Sequence, residues 1–88
     1  MNYEWDDNKD KENDKKHGIR FDEAKAVFAD PAAIDYHESF YGEEERFLCI
    51  GMSSKGVLTV VYCERGEDTI RIISARKAGQ QEREIYER

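Results

Sequence analysis

The sequence has a single proline, no long apolar run and no clustered metal ligands. No stretch approaches the ~18 apolar residues that a membrane span needs, so no transmembrane helix is expected. The polar, acidic start predicts no signal peptide and therefore a cytoplasmic protein. Two cysteines and two histidines lie scattered along 88 residues. That scatter does not make a zinc site, and neither a metal nor another cofactor is expected. Cys49 and Cys63 sit inside apolar, strand-like runs. A symmetric turn at Ser53-Ser54-Lys55-Gly56 sets Cys49 opposite Val60 and Cys63 opposite Arg46. No disulfide is predicted, and both thiols read as small buried hydrophobes. Apolar residues are also wholly missing between Asp6 and His17.

Charge is present in abundance but unevenly. Residues 21–45 carry eight acids and one base, while residues 46–88 carry six acids and eight bases. The net charge of −6 therefore resides in the middle of the chain. A site for a polyanion, if one exists, has to be assembled from the two ends. Two segments there have the right residues: Lys15-Lys16-His17-Gly18-Ile19, and Ile70-Arg71-Ile72-Ile73-Ser74-Ala75-Arg76.

Pattern and punctuation predict one domain, residues 1–88. Its order is β-α-α-β-β-β-β-α, an α+β fold with helices packed on a small antiparallel sheet. Asn2 to Trp5 reads as a short strand. Asp6 to His17 reads as a helix capped by Gly18, with favourable Asp7–Lys11 and Glu12–Lys16 pairs. Having little to bury, it is expected to be mobile or covered by a partner. Phe21, Ala24, Val27 and Phe28 fall on one helical face, and Asp30-Pro31 ends that helix. Arg20 stands at its N-cap without an acceptor, so Arg20→Ser is expected to stabilise the chain by about 1 kcal/mol. Ala32 to Tyr36 is a candidate strand, and residues 37–45 read as an acidic, aromatic loop. Arg46–Met52 and Val57–Glu64 form a hairpin. A turn at Arg65-Gly66-Glu67-Asp68 leads to a strand over Thr69–Arg76, with Tyr62 opposite Arg71. Gln80 to Arg88 closes the chain as a helix anchored by Ile85 and Tyr86.

An ordered set of residues resembles a known family. The set comprises Trp5-Asp6, Lys16-His17-Gly18-Ile19, Phe21-Asp22-Glu23-Ala24, Val27-Phe28 with Asp30-Pro31, Glu45-Arg46 and Ile50-Gly51. It continues with Arg71-Ile72-Ile73-Ser74-Ala75-Arg76 and Glu82-Arg83 with Tyr86. Together these are similar to the BrnT family of bacterial toxins and span nearly the whole chain. The sequence departs from the family pattern at Asp10, Lys11 and Asp14, at Arg20, and in the closing helix, which is usually rich in arginine but here reads Ala78-Gly79-Gln80-Gln81-Glu82-Arg83. The resemblance implies a RelE-like fold, an RNA-cleaving toxin, and neutralisation by a BrnA-type antitoxin with a ribbon-helix-helix DNA-binding part. It also implies a heterotetramer of two toxins and two antitoxins, which meets DNA only through the antitoxin.

RNA cleavage without a metal requires removal of the 2′ proton, stabilisation of the phosphorane and protonation of the 5′-oxygen. Arginine meets two phosphate oxygens at once, and an imidazole titrates near neutrality. The candidate catalytic residues are therefore His17, Lys16, Arg71 and Arg76, with Arg65 and Tyr62 as RNA contacts. Arg71 is open to two roles, phosphate contact or stacking on the Tyr62 ring. An alternative from another class is a non-catalytic module that holds an antitoxin-like partner and tunes its DNA binding.

Overall fold

A computed structural model describes residues 1–88. Five strands form one sheet in the order β1-β5-β4-β3-β2. They are β1 (Asn2–Glu4), β2 (Ile34–Tyr41), β3 (Glu44–Ser53), β4 (Gly56–Arg65) and β5 (Thr69–Lys77). β2 to β5 form an antiparallel meander, and β1 joins β5 in parallel. The helices are α1 (Asp7–His17), α2 (Phe21–Ala24) and α3 (Gln80–Tyr86), and α2 runs on as a 3₁₀ turn over Lys25–Ala29. Element order and fold class match the expectation from sequence. No helix is long and apolar enough to cross a membrane.

The main core lies on one face of the sheet. Ile19, Phe21, Ala24 and Val27 pack there on Cys49, Val60, Tyr62, Ile72 and Ala75. Gly51 lets the 3₁₀ turn approach β3, since a Cβ at this position would stand 2.9 Å from Val27 Cβ. Both cysteines are free and buried, and Cys49 pairs with Val60 as the hairpin count predicts. Burial, with Asp35 nearby, pushes the Cys49 thiol up to about 12.

Helix α1 begins at Asp6, whose carboxylate accepts from the Asn8 and Lys9 amides, and ends at Gly18 in the left-handed conformation (φ 71°). The expected Asp7–Lys11 and Glu12–Lys16 ion pairs do not form, and every lysine of α1 is without a carboxylate partner. Two buried polar side chains fix the helix instead. Asn13 donates from Nδ2 to the carbonyls of Ile19 and Ala75 and accepts from the Ala75 amide. A side-chain amide thus takes the place of a neighbouring strand at the edge of β5. Asp10 binds the Arg20 guanidinium through Oδ2 and the Phe21 amide through Oδ1. Burial opposes its charge, but the bonds from Arg20 and Phe21 still hold its carboxyl below the usual range.

Four further details differ from the sequence expectation. Arg20 anchors Asp10, and the acceptor at the start of α2 comes from Asp10, so Arg20→Ser is now expected to cost stability. Residues 37–45 are not a loop: β2 and β3 pair through Tyr41↔Glu44 across a Gly42-Glu43 turn. The turn before β5 has three residues, because Arg65 pairs with Thr69. Finally, β5 carries a bulge. Tyr62 pairs with Ile72 and Val61 with Ser74, leaving Ile73 as the extra residue. Arg71 therefore lies opposite Cys63, not Tyr62.

Candidate functional site

The bulge decides where the arginines point. Cys63 pairs with Arg71 and Thr59 with Arg76. Cys63 and Thr59 are four positions apart on an unbroken stretch of β4, hence on one face. Their partners share that face although five residues separate them. Without the extra residue, the two arginines would point to opposite sides of the sheet. Ser74, opposite Val61, joins them. By the same alternation Arg46 and Arg65 also lie on this face, away from the helix-covered core, as do Tyr36 and Tyr41. Arg46 sits 4.6 Å over the Tyr41 ring.

Each of these four arginines holds a carboxylate of its own chain. Arg71 meets Glu4 at 2.7 Å, Arg65 meets Glu44 at 3.2 Å, and Arg46 meets the same Glu44 at 3.2 Å. Arg76 grips both oxygens of Glu82 at 2.7 Å. That fork holds the Glu82 carboxyl down at about 2. Glu82 also accepts from the Gly79 amide at the start of α3. At its other end α3 is tied by Tyr86, whose hydroxyl donates to Asp30 at 2.6 Å. The bonds from Tyr86, Met52 and Ala32 lower the Asp30 carboxyl. An open recess of about 400 Å³ lies between Arg76 and the first turn of α3.

A second recess, of about 170 Å³, opens where the end of α1 crosses the bulge. Lys9, Glu12, Asn13, Lys16 and His17 line one wall, and Ile73 and Ser74 the other. Cations at a helix C-terminus are favoured by the helix dipole, and here they also lack carboxylate partners. Lys16 and His17 are thus brought together as the sequence predicts. Arg71 and Arg76 do not line the recess; they lie two residues before Ile73 and two after Ser74, roughly 7 Å along the strand on each side.

The remaining predicted contacts fall elsewhere. Arg65 lies at the far end of β4, held by Glu44. Tyr62 is only 8% exposed and stacks on Phe47, so it offers no platform to an RNA base. Its hydroxyl donates to Asp35, and burial and that carboxylate raise its pKa further from neutrality. Residues missed by sequence reasoning are Lys9 and Ser74 in the recess, and Arg46 with Tyr41 on the arginine face. Lys9 lies seven positions before Lys16, two helical turns, and that spacing was a usable signal. No group of three or more His, Cys, Asp and Glu side chains is placed to hold a metal.

Residues 5–82 match the family described as "Ribonuclease toxin, BrnT, of type II toxin-antitoxin system". Among solved structures, the chain is similar to the Brucella abortus ribonuclease toxin BrnT, with 26% identity and a TM-score of 0.71. The match covers 91% of this chain and 99% of that one. Among curated protein sequences, none matches. With a family match over most of its length and the same α+β fold, the chain belongs to the BrnT family of ribonuclease toxins of type II toxin-antitoxin systems.

Proposed function

We propose that this protein is a cytoplasmic, metal-independent endoribonuclease, acting where α1 meets the β5 bulge. The observation that carries this reading is the convergence of Lys9, Lys16 and His17, none held by a carboxylate, beside the strand that bears Arg71 and Arg76 on one face. In the reaction the 2′-oxygen loses its proton to His17 and bonds to phosphorus. Lys16 and Lys9 face the charge that grows on the non-bridging oxygens. The bond to the 5′-oxygen breaks, that oxygen takes a proton from the Lys16 ammonium, and the proton on His17 returns to Lys16 through solvent, leaving a 2′,3′-cyclic phosphate and a 5′-hydroxyl.

Arg71 and Arg76 grip the flanking phosphates by exchanging Glu4 and Glu82 for them. A partly exposed ion pair is worth only about 0–1 kcal/mol, so a forked phosphate contact competes readily. Arg65 and Arg46 with Tyr41 extend the track along the same face. Membership of a type II family implies an antitoxin partner. We take it to be a BrnA-type ribbon-helix-helix protein, two copies with two toxins, and the only member of the complex to touch DNA.

The test is cleavage of total RNA by the purified, partner-free chain in EDTA. Wild type is expected to cut. His17→Ala and the Arg71→Ala/Arg76→Ala double variant are each expected to lose about 100-fold or more. Undiminished cleavage by the double variant removes the arginine face from the mechanism, and undiminished cleavage by His17→Ala removes the recess. One observation favours a second reading: every arginine on that face is already neutralised from within. In it, the chain cuts little or no RNA and serves to hold the antitoxin and modulate its DNA binding. Folded wild type without cleavage, together with an altered operator affinity of the complex, is its signature.

A further inference from the structure

Helix cover stops short of one side of the sheet. The core ends at Phe47 of β3, which is only partly buried. Beyond it, on the same face, His37 and Phe40 of β2 continue the aromatic row, with ring centroids 5.0 Å apart and His37 6.0 Å from Phe47. Phe40 is 62% exposed. β2 is also the terminal strand, so half of its peptide groups face outward without a strand partner. Long edges of this kind pair with other chains unless something blocks them. β2 contains no proline and no lysine; its one interruption is a bulge at Glu38, which leaves Ile34–His37 and Ser39–Tyr41 as the two runs open to pairing.

What does surround the edge is negative. The β2–β3 hairpin, residues 34–53, carries five carboxylates and one arginine. That arginine, Arg46, is taken by Glu44, while Glu38 and Glu43 have no cationic partner. RNA is repelled from such an edge. A second copy is disfavoured as well, because antiparallel pairing of two β2 strands about Glu38 brings like charges together.

We propose that the β2 edge, with Phe40 beside it, is the docking surface for an extended, lysine- or arginine-bearing segment of the antitoxin. The segment adds a sixth strand, its cations meet Glu38 and Glu43, and an apolar side chain covers Phe40. Only the identity of the partner rests on the toxin reading above. Charge and a free edge select the class of segment on their own. The edge adjoins the outer end of the arginine face at Tyr41, whereas Arg71 and Arg76 lie on β5, three strands away, so a docked sixth strand leaves those two arginines uncovered unless the partner's remaining length reaches around the sheet.

The experiment titrates the isotope-labelled full chain, followed by amide NMR. The probes are a short synthetic peptide alternating lysine and valine, its glutamate–valine counterpart, and a short RNA. The basic peptide is expected to shift and protect the amides of β2 and to perturb the Phe40 ring. Glu38→Lys/Glu43→Lys, both exposed positions, is expected to weaken it by about tenfold or more, and Phe40→Ser to weaken it independently. Equal binding of the acidic peptide, shifts on another element, or no shift at all would overturn the proposal. So would RNA shifting the same amides, or shifts that depend on protein concentration alone. RNA cleavage is assayed on the same samples. Lost peptide binding with cleavage intact sinks the docking surface alone, and retained binding without cleavage sinks the ribonuclease reading alone.

Discussion

Helices α1 and α2 lie on the same sheet and are held by opposite means. α2 and its 3₁₀ extension bury Phe21, Ala24 and Val27, and any apolar face of that size would do much the same. α1 buries only Asp10 and Asn13, each 6% exposed, and both are fully engaged in hydrogen bonds. Apolar burial is tolerant of direction. A pair of hydrogen-bonded polar groups is not, and it fixes the rotation of α1 so that Lys9, Lys16 and His17 face the bulge. The apolar helix supplies stability, and the polar helix supplies position.

The largest loss is expected from Phe21→Ala, about 3–5 kcal/mol in a denaturant melt. Asn13→Ala is expected to cost less, about 1–3 kcal/mol, as water entering from the recess replaces part of what the amide did. Its signature is selective: hydrogen exchange should quicken in α1 and at Ala75 while the β3–β4 hairpin keeps its protection. Uniform loss of protection would mean that α1 stabilises as α2 does.

Arg20→Ser sharpens the contrast at the junction of the two helices. It removes the guanidinium from Asp10 and is expected to lower the melting temperature by a few degrees. An unchanged or raised midpoint would return Arg20 to the status of a poor N-cap.

The smallest effect concerns α3, also held mainly by polar contacts. Glu82 has a folded pKa of about 2, below its ordinary value near 4.5. A depressed carboxylate stabilises the fold above its unfolded pKa, and that contribution fades as pH falls towards the folded one. Protection of the α3 amides should therefore decline between about pH 5 and pH 2, and Glu82→Gln should flatten this dependence. An identical pH profile in Glu82→Gln would show that the Arg76 fork does not hold the helix down.

Much of this fold is legible in the sequence because it is written in local pattern. Gly18 and Asp30-Pro31 mark helix ends, and the apolar, largely β-branched run at Val57–Val61 marks a strand. The Cys49–Val60 pairing follows from counting across one turn. The β2–β3 hairpin was hidden because Glu44 and Glu45 are poor strand formers, and only pairing with the sheet keeps them extended. Ile73 gave no local sign of a bulge, yet that single residue decides whether Arg71 and Arg76 work on one face. Asp10 and Asn13 looked like solvated helix positions, because the groups that bury them lie in Arg20, Phe21 and Ala75. Lys16, His17, Arg71 and Arg76 were readable as candidates from the sequence, but their neighbours Lys9 and Ser74 and their partners were not: the carboxylates on the arginines come from β1, β3 and α3.

The Asn13 to Ala75 bond spans 62 residues. While the chain is being synthesised, α1 emerges first and has no edge to seize until the last strand leaves the ribosome. The recess therefore cannot exist on a partly made chain, whichever of the proposed roles it serves. A cell translating this protein meets a finished site only after β5 has been made.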